Sequence, residues 1–315
     1  MREPPRNLSA SIRQRLLNHA RAVDADPMLV LLWYGLERFL YRLSVSAYRD
    51  QFVLKGALLF RVWNMDSFRS TRDADMLAFL ANDEKSLRRV ITAIATLDVI
   101  DDGLVFEDGS IQLGEIRQAQ EYGGFRVALL ARLGASKIPL QIDVGFGDAV
   151  TPAAAELEYP PLLEFPAPKL RMYPRESVVA EKFEAIVSLG LINSRMKDYF
   201  DIWVLSRSYP FDGPLLTAAI KATFARRGTE IPAGIPSGLG NEFATDIVHR
   251  RQWEAFLSRD TRCVTKTLVL ENVLHDLVRF LIPIAEAVRT GGTFTCRWQP
   301  GISWDENARE LPKQQ

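Results

Sequence analysis

The chain is poor in the residues that staple small folds or hold structural zinc: 315 residues contain two cysteines and three histidines. Cys263 and Cys296 lie far apart, so a disulfide framework is excluded and a reducing, cytoplasmic setting is expected. No close Cys or His spacing suggests zinc. Net charge is also missing. With 39 basic and 39 acidic residues, any nucleic-acid contact must come from a local patch. No apolar run approaches about 18 residues, so no membrane span is expected. The opening MREPPRNLSASIRQR has no apolar signal core. There is no internal repeat and no low-complexity tract. The length suits two domains with ample cores.

The most informative stretch is 52–80, FVLKGALLFRVWNMDSFRSTRDADMLAFL. It reads as an apolar strand, a Lys55-Gly56 turn, a short helix over 57–63, a polar loop, and a second strand. Asp73 and Asp75 sit two apart on that second strand, and the strand period of two puts both carboxylates on one face. Carboxylates held that close resist joint ionisation, and a bridging cation relieves them. All-oxygen donors suit Mg²⁺ or Mn²⁺. Gly56 would let the backbone approach a bulky ligand, and the following helix would aim free N–H groups at an anion. An isolated D-x-D also marks ordinary exposed strand starts. Arg69, Thr71 and Arg72 beside it favour a nucleotide triphosphate site.

Around this stretch, Ser9 is expected to cap a first helix running to about Val23, and Asp26-Pro27 to open a second, largely buried one. His19 and Glu37 on these helices read as structural. Asn82-Asp83 starts another helix. Residues 101–114 read as turns and weak strands, with Asp101, Asp102, Glu107 and Asp108 as turn acids rather than a second metal site. Two firmer strands follow, at 125–133 and 138–147. In the latter, Ile138, Leu140, Ile142 and Val144 share one face, and Asp143 faces the other way. An aspartate there is costly to bury unless paired. Beside the Asp73/Asp75 strand it would complete a three-carboxylate cluster of the kind two-metal phosphoryl chemistry uses. On a half-exposed sheet it would simply face solvent. Prolines crowd 150–175, and the domain boundary is placed near Leu170, dividing the chain into 1–170 and 171–315.

The second half reads as helical. In 173–190, Lys182 shares a face with Val178 and Ile186, so its ammonium should extend from a partly buried stem, either as a triphosphate clamp or as an ordinary surface lysine. In 193–207, Asp198 and Asp201 neighbour each other on one helical face, after Arg195 and Lys197. Asp198 could orient Lys182 or Arg195, act as a base, or be part of a solvated turn. Arg226, Arg227, Arg250, Arg251, Arg259 and Arg262 with Trp253 could line an RNA groove, although charged outer helix faces look the same. A long helix is expected over about 264–288, kinked or ended by Pro283. Two tail tryptophans should pack back.

Four pieces in order, FVLKGALLF…RSTRDAD, LQIDVG, YPRESVVAEKFEAI and RMKDYFD, resemble the AbiEii/AbiGii family of nucleotidyltransferase-like toxins. These are toxin halves of bacterial toxin–antitoxin and phage-abortive-infection modules. The resemblance spans roughly residues 50–207. It implies an α/β (α+β) fold: a DNA polymerase β-like nucleotidyltransferase domain with a mixed sheet, plus a helical C-terminal domain that contributes Lys182 and Asp198 to the site. It implies transfer of nucleotides from an NTP to RNA, with tRNA 3′ ends a target for some members, or GTP binding. It implies a cognate antitoxin encoded nearby.

Carried onto this chain, the glycine turn falls on Lys55-Gly56. The R-x-S/T-x-D-x-D element falls on Arg69, Thr71, Asp73 and Asp75. The helix lysine is Lys182, and the last element is Arg195, Lys197, Asp198 and Asp201. Asp73, Asp75 and, as ligand or base, Asp143 are the expected metal-site residues. Lys55, Gly56, Arg69, Thr71, Arg72, Arg195 and Asp201 are expected near the nucleotide. Ala57 departs from the second glycine or serine usual in the family, which bears on the phosphate contact. Two other readings stay open: a GTP-binding toxin without transfer chemistry, and a transferase acting on a protein or small molecule.

Overall fold

The computed structural model describes residues 7–64, 71–116, 123–259 and 267–306. The chain divides into two compact units. One takes in residues up to Asp148 together with Ala155–Tyr173; the other takes in Ala149–Ala154 and the chain from Pro174 onward.

The first unit is a seven-stranded mixed sheet with helices. Its helices and strands run α1 (Leu8–Ala22), α2 (Pro27–Val45), β1 (Phe52–Lys55), α3 (Leu59–Val62), β2 (Ala74–Ala78), α4 (Glu84–Ala95), β3 (Leu104–Ile116), β4 (Gly124–Leu133), β5 (Ser136–Phe146), β6 (Ala155–Glu158) and β7 (Lys169–Met172). The sheet order is β3-β4-β5-β2-β1-β7-β6. Helix α2 starts as expected, with the Asp26 side chain accepting from Met28 N and Pro27 in the first turn. Asn7, not Ser9, caps α1; the Ser9 hydroxyl instead donates to the Gly103 carbonyl. Strand β5 alternates strictly, with Ile138, Leu140, Ile142 and Val144 buried. Gly35 of α2 packs so tightly over Leu140 that an added Cβ would clash with it. The apolar face of β5 is thus covered by α2, and its other face carries the polar residues.

Two parts of this unit differ from the sequence reading. Residues expected as turns and weak strands form the thirteen-residue β3, because its backbone finds a continuous partner in β4 with one irregularity between Glu107 and Gln112. Asp102 is buried and receives Arg42 on both oxygens, at 2.7 and 3.1 Å. It is therefore a structural counter-ion.

The second unit contains α5 (Arg175–Leu189), α6 (Met196–Ser208), β8 (Phe211–Asp212), α7 (Gly213–Arg227), α8 (Asn241–Thr245), α9 (Ile247–Arg259), α10 (Leu270–Thr290), β9 (Arg297–Gln299) and β10 (Ser303–Asp305). Strands β8–β10 make a small antiparallel sheet. Helix α10 runs through Pro283 to Thr290. Its flanking Phe280, Leu281, Ile284 and Ala285 are all buried, and that packing outweighs the hydrogen bond proline removes. The tail tryptophans do pack back: Trp298 is buried, and Trp304 stacks on Phe280 at 5.7 Å.

Candidate active site

Strand register assembles the first charged cluster. Asp75 lies opposite Asp143 on the parallel neighbour β5 and opposite Lys55 on the antiparallel neighbour β1. Asp143 in turn lies opposite Arg126 on β4. Directly paired residues project from the same face. One row across four strands therefore reads Arg126, Asp143, Asp75, Lys55, two acids flanked by two cations. The two acids sit one strand spacing apart, about 5 Å. Like charges so placed repel, and the flanking cations offset this.

Each member of the row is held individually. Gly56 has φ +72°, and a Cβ added there would fall within the Asp75 carboxylate. Glycine is therefore required both for the left-handed backbone and for the carboxylate's space. The close approach that Gly56 permits is to Asp75 of the chain itself. Asp73 sits just before β2, where the Thr71 hydroxyl donates to its Oδ1 at 2.8 Å. Thr71 is itself buried, and its carbonyl accepts from Trp33 Nε1 at 2.9 Å. Thr71 thus positions Asp73. Lys55 pairs with Asp148 at 2.6 Å, both partly buried, and lies over the Tyr173 ring. Arg126 holds Asp143 with two bonds, Nε to Oδ1 at 2.9 Å and Nη2 to Oδ2 at 2.7 Å. The hydrogen-bond network turns the Gln141 amide oxygen to the same guanidinium, 3.3 Å from Nη2 and 3.2 Å from Nε. Arg72 is exposed. Arg69 lies outside the described residues.

The helix expected over 57–63 is a 3₁₀ turn, Gly56–Leu58, followed by the four-residue α3. Without a long ladder of aligned peptides it has little macrodipole, so the helix-terminus anion site is not there. Asp73 and Asp75 supply the hard oxygen donors that a divalent cation takes, and so fit one. Among the described residues no three His, Cys, Asp or Glu side chains converge into a ready-made cage. Both oxygens of the expected third ligand, Asp143, are occupied by Arg126.

The second cluster joins α5 to α6. Lys182 Nζ lies 2.6 Å from Asp198 and 2.9 Å from Asp201, and both aspartates are fully buried. Arg195 Nε approaches the other Asp198 oxygen at 2.6 Å. Burial alone would push the Asp198 carboxyl up, but Lys182 and Arg195 overcome this and hold it below the ordinary aspartate value. Lys182 is accordingly a fixed cation with two dedicated counter-ions.

The groove of arginines around Trp253 does not form as read from the sequence. Trp253 is only 2% exposed, and its Nε1 donates to the Leu268 carbonyl, so no base can stack on it. Arg227 pairs with buried Glu184, and Arg250 with Glu271. Arg262 lies outside the described residues. Two residues of the sheet cluster, Arg126 and Asp148, escaped the sequence reading. The alternation of β4 and β5 was visible, but nothing along either strand states which residues face each other.

Comparison with known proteins agrees in class. The sequence model described as "Nucleotidyl transferase AbiEii toxin, Type IV TA system" matches residues 38–272, well over half the chain. No curated protein matches in sequence. Two solved structures from Helicobacter pylori are similar at low identity. JHP933 has 14% identity and TM-score 0.44, covering 88% of this chain and 92% of its own. A protein described as a nucleotidyltransferase has 13% identity and TM-score 0.41, covering 87% and 95%. Both scores are too low to carry an argument. Among the described residues no helix is long and apolar enough to cross a membrane. On the strength of the match to residues 38–272, the chain belongs to the AbiEii family of nucleotidyltransferase toxins of type IV toxin–antitoxin systems.

Proposed function

We propose that this toxin is a divalent-metal-dependent enzyme that transfers a nucleotide from an NTP to an RNA acceptor, the 3′ end of a tRNA, and so blocks translation and growth in the cytoplasm. The observation that carries this reading is the in-register pair Asp75 and Asp143 on parallel strands, with Asp73 two residues away. Family membership implies a cognate antitoxin.

Asp73 and Asp75, with Asp143 as third donor, would hold Mg²⁺ or Mn²⁺, which supplies Lewis-acid polarisation of the phosphate and lowers the pKa of an attacking hydroxyl. Thr71 keeps Asp73 in place, and Gly56 leaves the Asp75 carboxylate its space. Lys182 is oriented by Asp198 and Asp201 within the helical unit; the family resemblance gives it the part of neutralising charge on the phosphates as they separate. Lys55 and Arg72 add positive charge for the triphosphate, and the family resemblance assigns Arg69 and Arg195 to the same task.

The test is incubation of the protein with each labelled NTP and total tRNA, followed by a denaturing gel. Label is expected on a tRNA-sized, ribonuclease-sensitive band. Asp75→Ala should lower it by about 10²–10³-fold or more, the loss typical when one charge-stabilising group is removed, while the protein still melts cooperatively. Undiminished transfer by that variant rejects the assignment. Ribonuclease-resistant label would move the acceptor to protein or a small molecule. GTP binding without pyrophosphate release would leave a toxin that acts by binding alone.

A further inference from the structure

The sheet-face row raises a question that metal ligation by Asp143 must answer: its two carboxylate oxygens already have a partner. Arg126 meets both in the bidentate geometry that makes guanidinium–carboxylate pairs strong and specific. The pairing is set by the fold, because the two residues face each other in the β4–β5 register. Gln141, on the same face, adds a third oxygen to the guanidinium.

We infer that Arg126 is a built-in competitor for the metal: it occupies Asp143 as a resident counter-cation, so a divalent ion gains the third carboxylate only by displacing the guanidinium. The inference rests on the metal-dependent reading above. Three observations support it. Asp143 side-chain exposure is 16%, little enough that the carboxylate needs a partner but not so little that the partner is locked in. Arg126 is 53% exposed, so the guanidinium can leave toward water without burying a bare charge. Arg126, Asp143 and Asp75 also lie in one cross-strand row, so the guanidinium stands among the same carboxylates that would hold the ion. It therefore sits in the electrostatic well that a divalent ion would use. Arg126 acts on the metal through Asp143, as a positioning residue.

The test is direct Mn²⁺ binding to the full chain without nucleotide at fixed ionic strength, with free Mn²⁺ read by electron paramagnetic resonance. Arg126→Gln should tighten the Mn²⁺ Kd about tenfold or more relative to the wild type. Adding Asp143→Asn in that background should return it to the wild-type value or weaker, because the gain comes through Asp143 alone. Arg126→Lys keeps the charge but cannot bridge both oxygens, so it should tighten binding less, by at least threefold, and it serves as the deciding variant if the glutamine form does not fold. Equal Kd values in the wild type and the folded Arg126 variants overturn the competition and leave metal dependence standing. No Mn²⁺ binding by any form overturns both. A gain that survives Asp143→Asn overturns the route through Asp143.

Discussion

Arg126 on the sheet face is half-exposed and meets one carboxylate, whereas Lys182 in the helical unit is nearly enclosed and meets two that are fully buried. The first arrangement can exchange partners cheaply, because water takes over each charge as the pair opens. The second cannot, since separating it takes the Lys182 charge away from two carboxylates that water does not reach. The sheet row can thus exchange the partners of its carboxylates, and the helix pair cannot. The difference originates in the elements. Strand register delivers side chains to an open face, one per strand, while spacing of three on α6 stacks Asp198 and Asp201 on one buried stripe.

The largest expected effect comes from breaking the buried cluster. Lys182→Met should destabilise the fold by about 3–5 kcal/mol, the range for removing one partner of a buried ion pair. Urea denaturation of the isolated variant checks this, and a loss below about 1 kcal/mol, the ordinary value for an exposed pair, would erase the contrast between the clusters. Asp198 adds a sign. Its folded pKa is depressed, so its contribution is present above the ordinary aspartate value of 3.8 and is lost as pH falls through the lower folded value. Asp198→Asn should remove that acid-limb loss.

Gly56→Ala comes next and separates space from stability. A non-glycine residue at φ +72° costs about 1–2 kcal/mol, a modest drop in melting temperature. The added methyl also displaces the Asp75 carboxylate, so nucleotide transfer should fall much further than stability does, by about 10²-fold on the scale of a misplaced catalytic group. Equal, small losses in both would mean that the Asp75 position does not matter.

These predictions rest on features the sequence displayed unequally. The alternation of Ile138, Leu140, Ile142 and Val144 against Asp143 could be read directly, because the period of a strand is local. So could the Asp26-Pro27 helix start. The partnership of Asp143 with Arg126 could not, because facing residues on neighbouring strands carry no mark along the chain. The length of β3 was hidden by Gly109, Gly114 and a run of acids that also suit turns; only pairing with β4 makes them a strand. The place of Trp253 was left open between a groove and an ordinary helix face for a related reason. Interleaved arginines suggested a groove, yet the indole is held by the Leu268 carbonyl, an acceptor at the edge of the next helix that the local pattern does not reveal. Glu37 read correctly as structural, but not its charge state.

Glu37 sharpens the comparison from the other side. Like Asp198 it is fully buried, but it has one cation in contact, Arg38 at 2.8 Å, one backbone donor, Leu162 N at 2.7 Å, and only the longer-range field of Arg61 besides. With that smaller set burial prevails, and the Glu37 carboxyl is pushed up from 4.5 to about 7. The sign is therefore opposite to that of Asp198. The contribution of Glu37 is fully present below its ordinary value of 4.5 and is lost as pH rises through about 7. Between pH 5 and 8 the wild type should lose on the order of 2 kcal/mol by this route, since each tenfold difference in proton affinity between the folded and unfolded chain is worth about 1.4 kcal/mol. Glu37→Gln keeps the shape and cannot ionise, so its urea midpoint should stay nearly flat across the same window, whatever its absolute value. A wild-type midpoint as flat as that of the variant would mean that Arg38 in contact, with Arg61 farther off, neutralises the carboxylate as fully as two contacting cations neutralise Asp198, and the number of counter-ions in contact would no longer explain why the two buried acids differ.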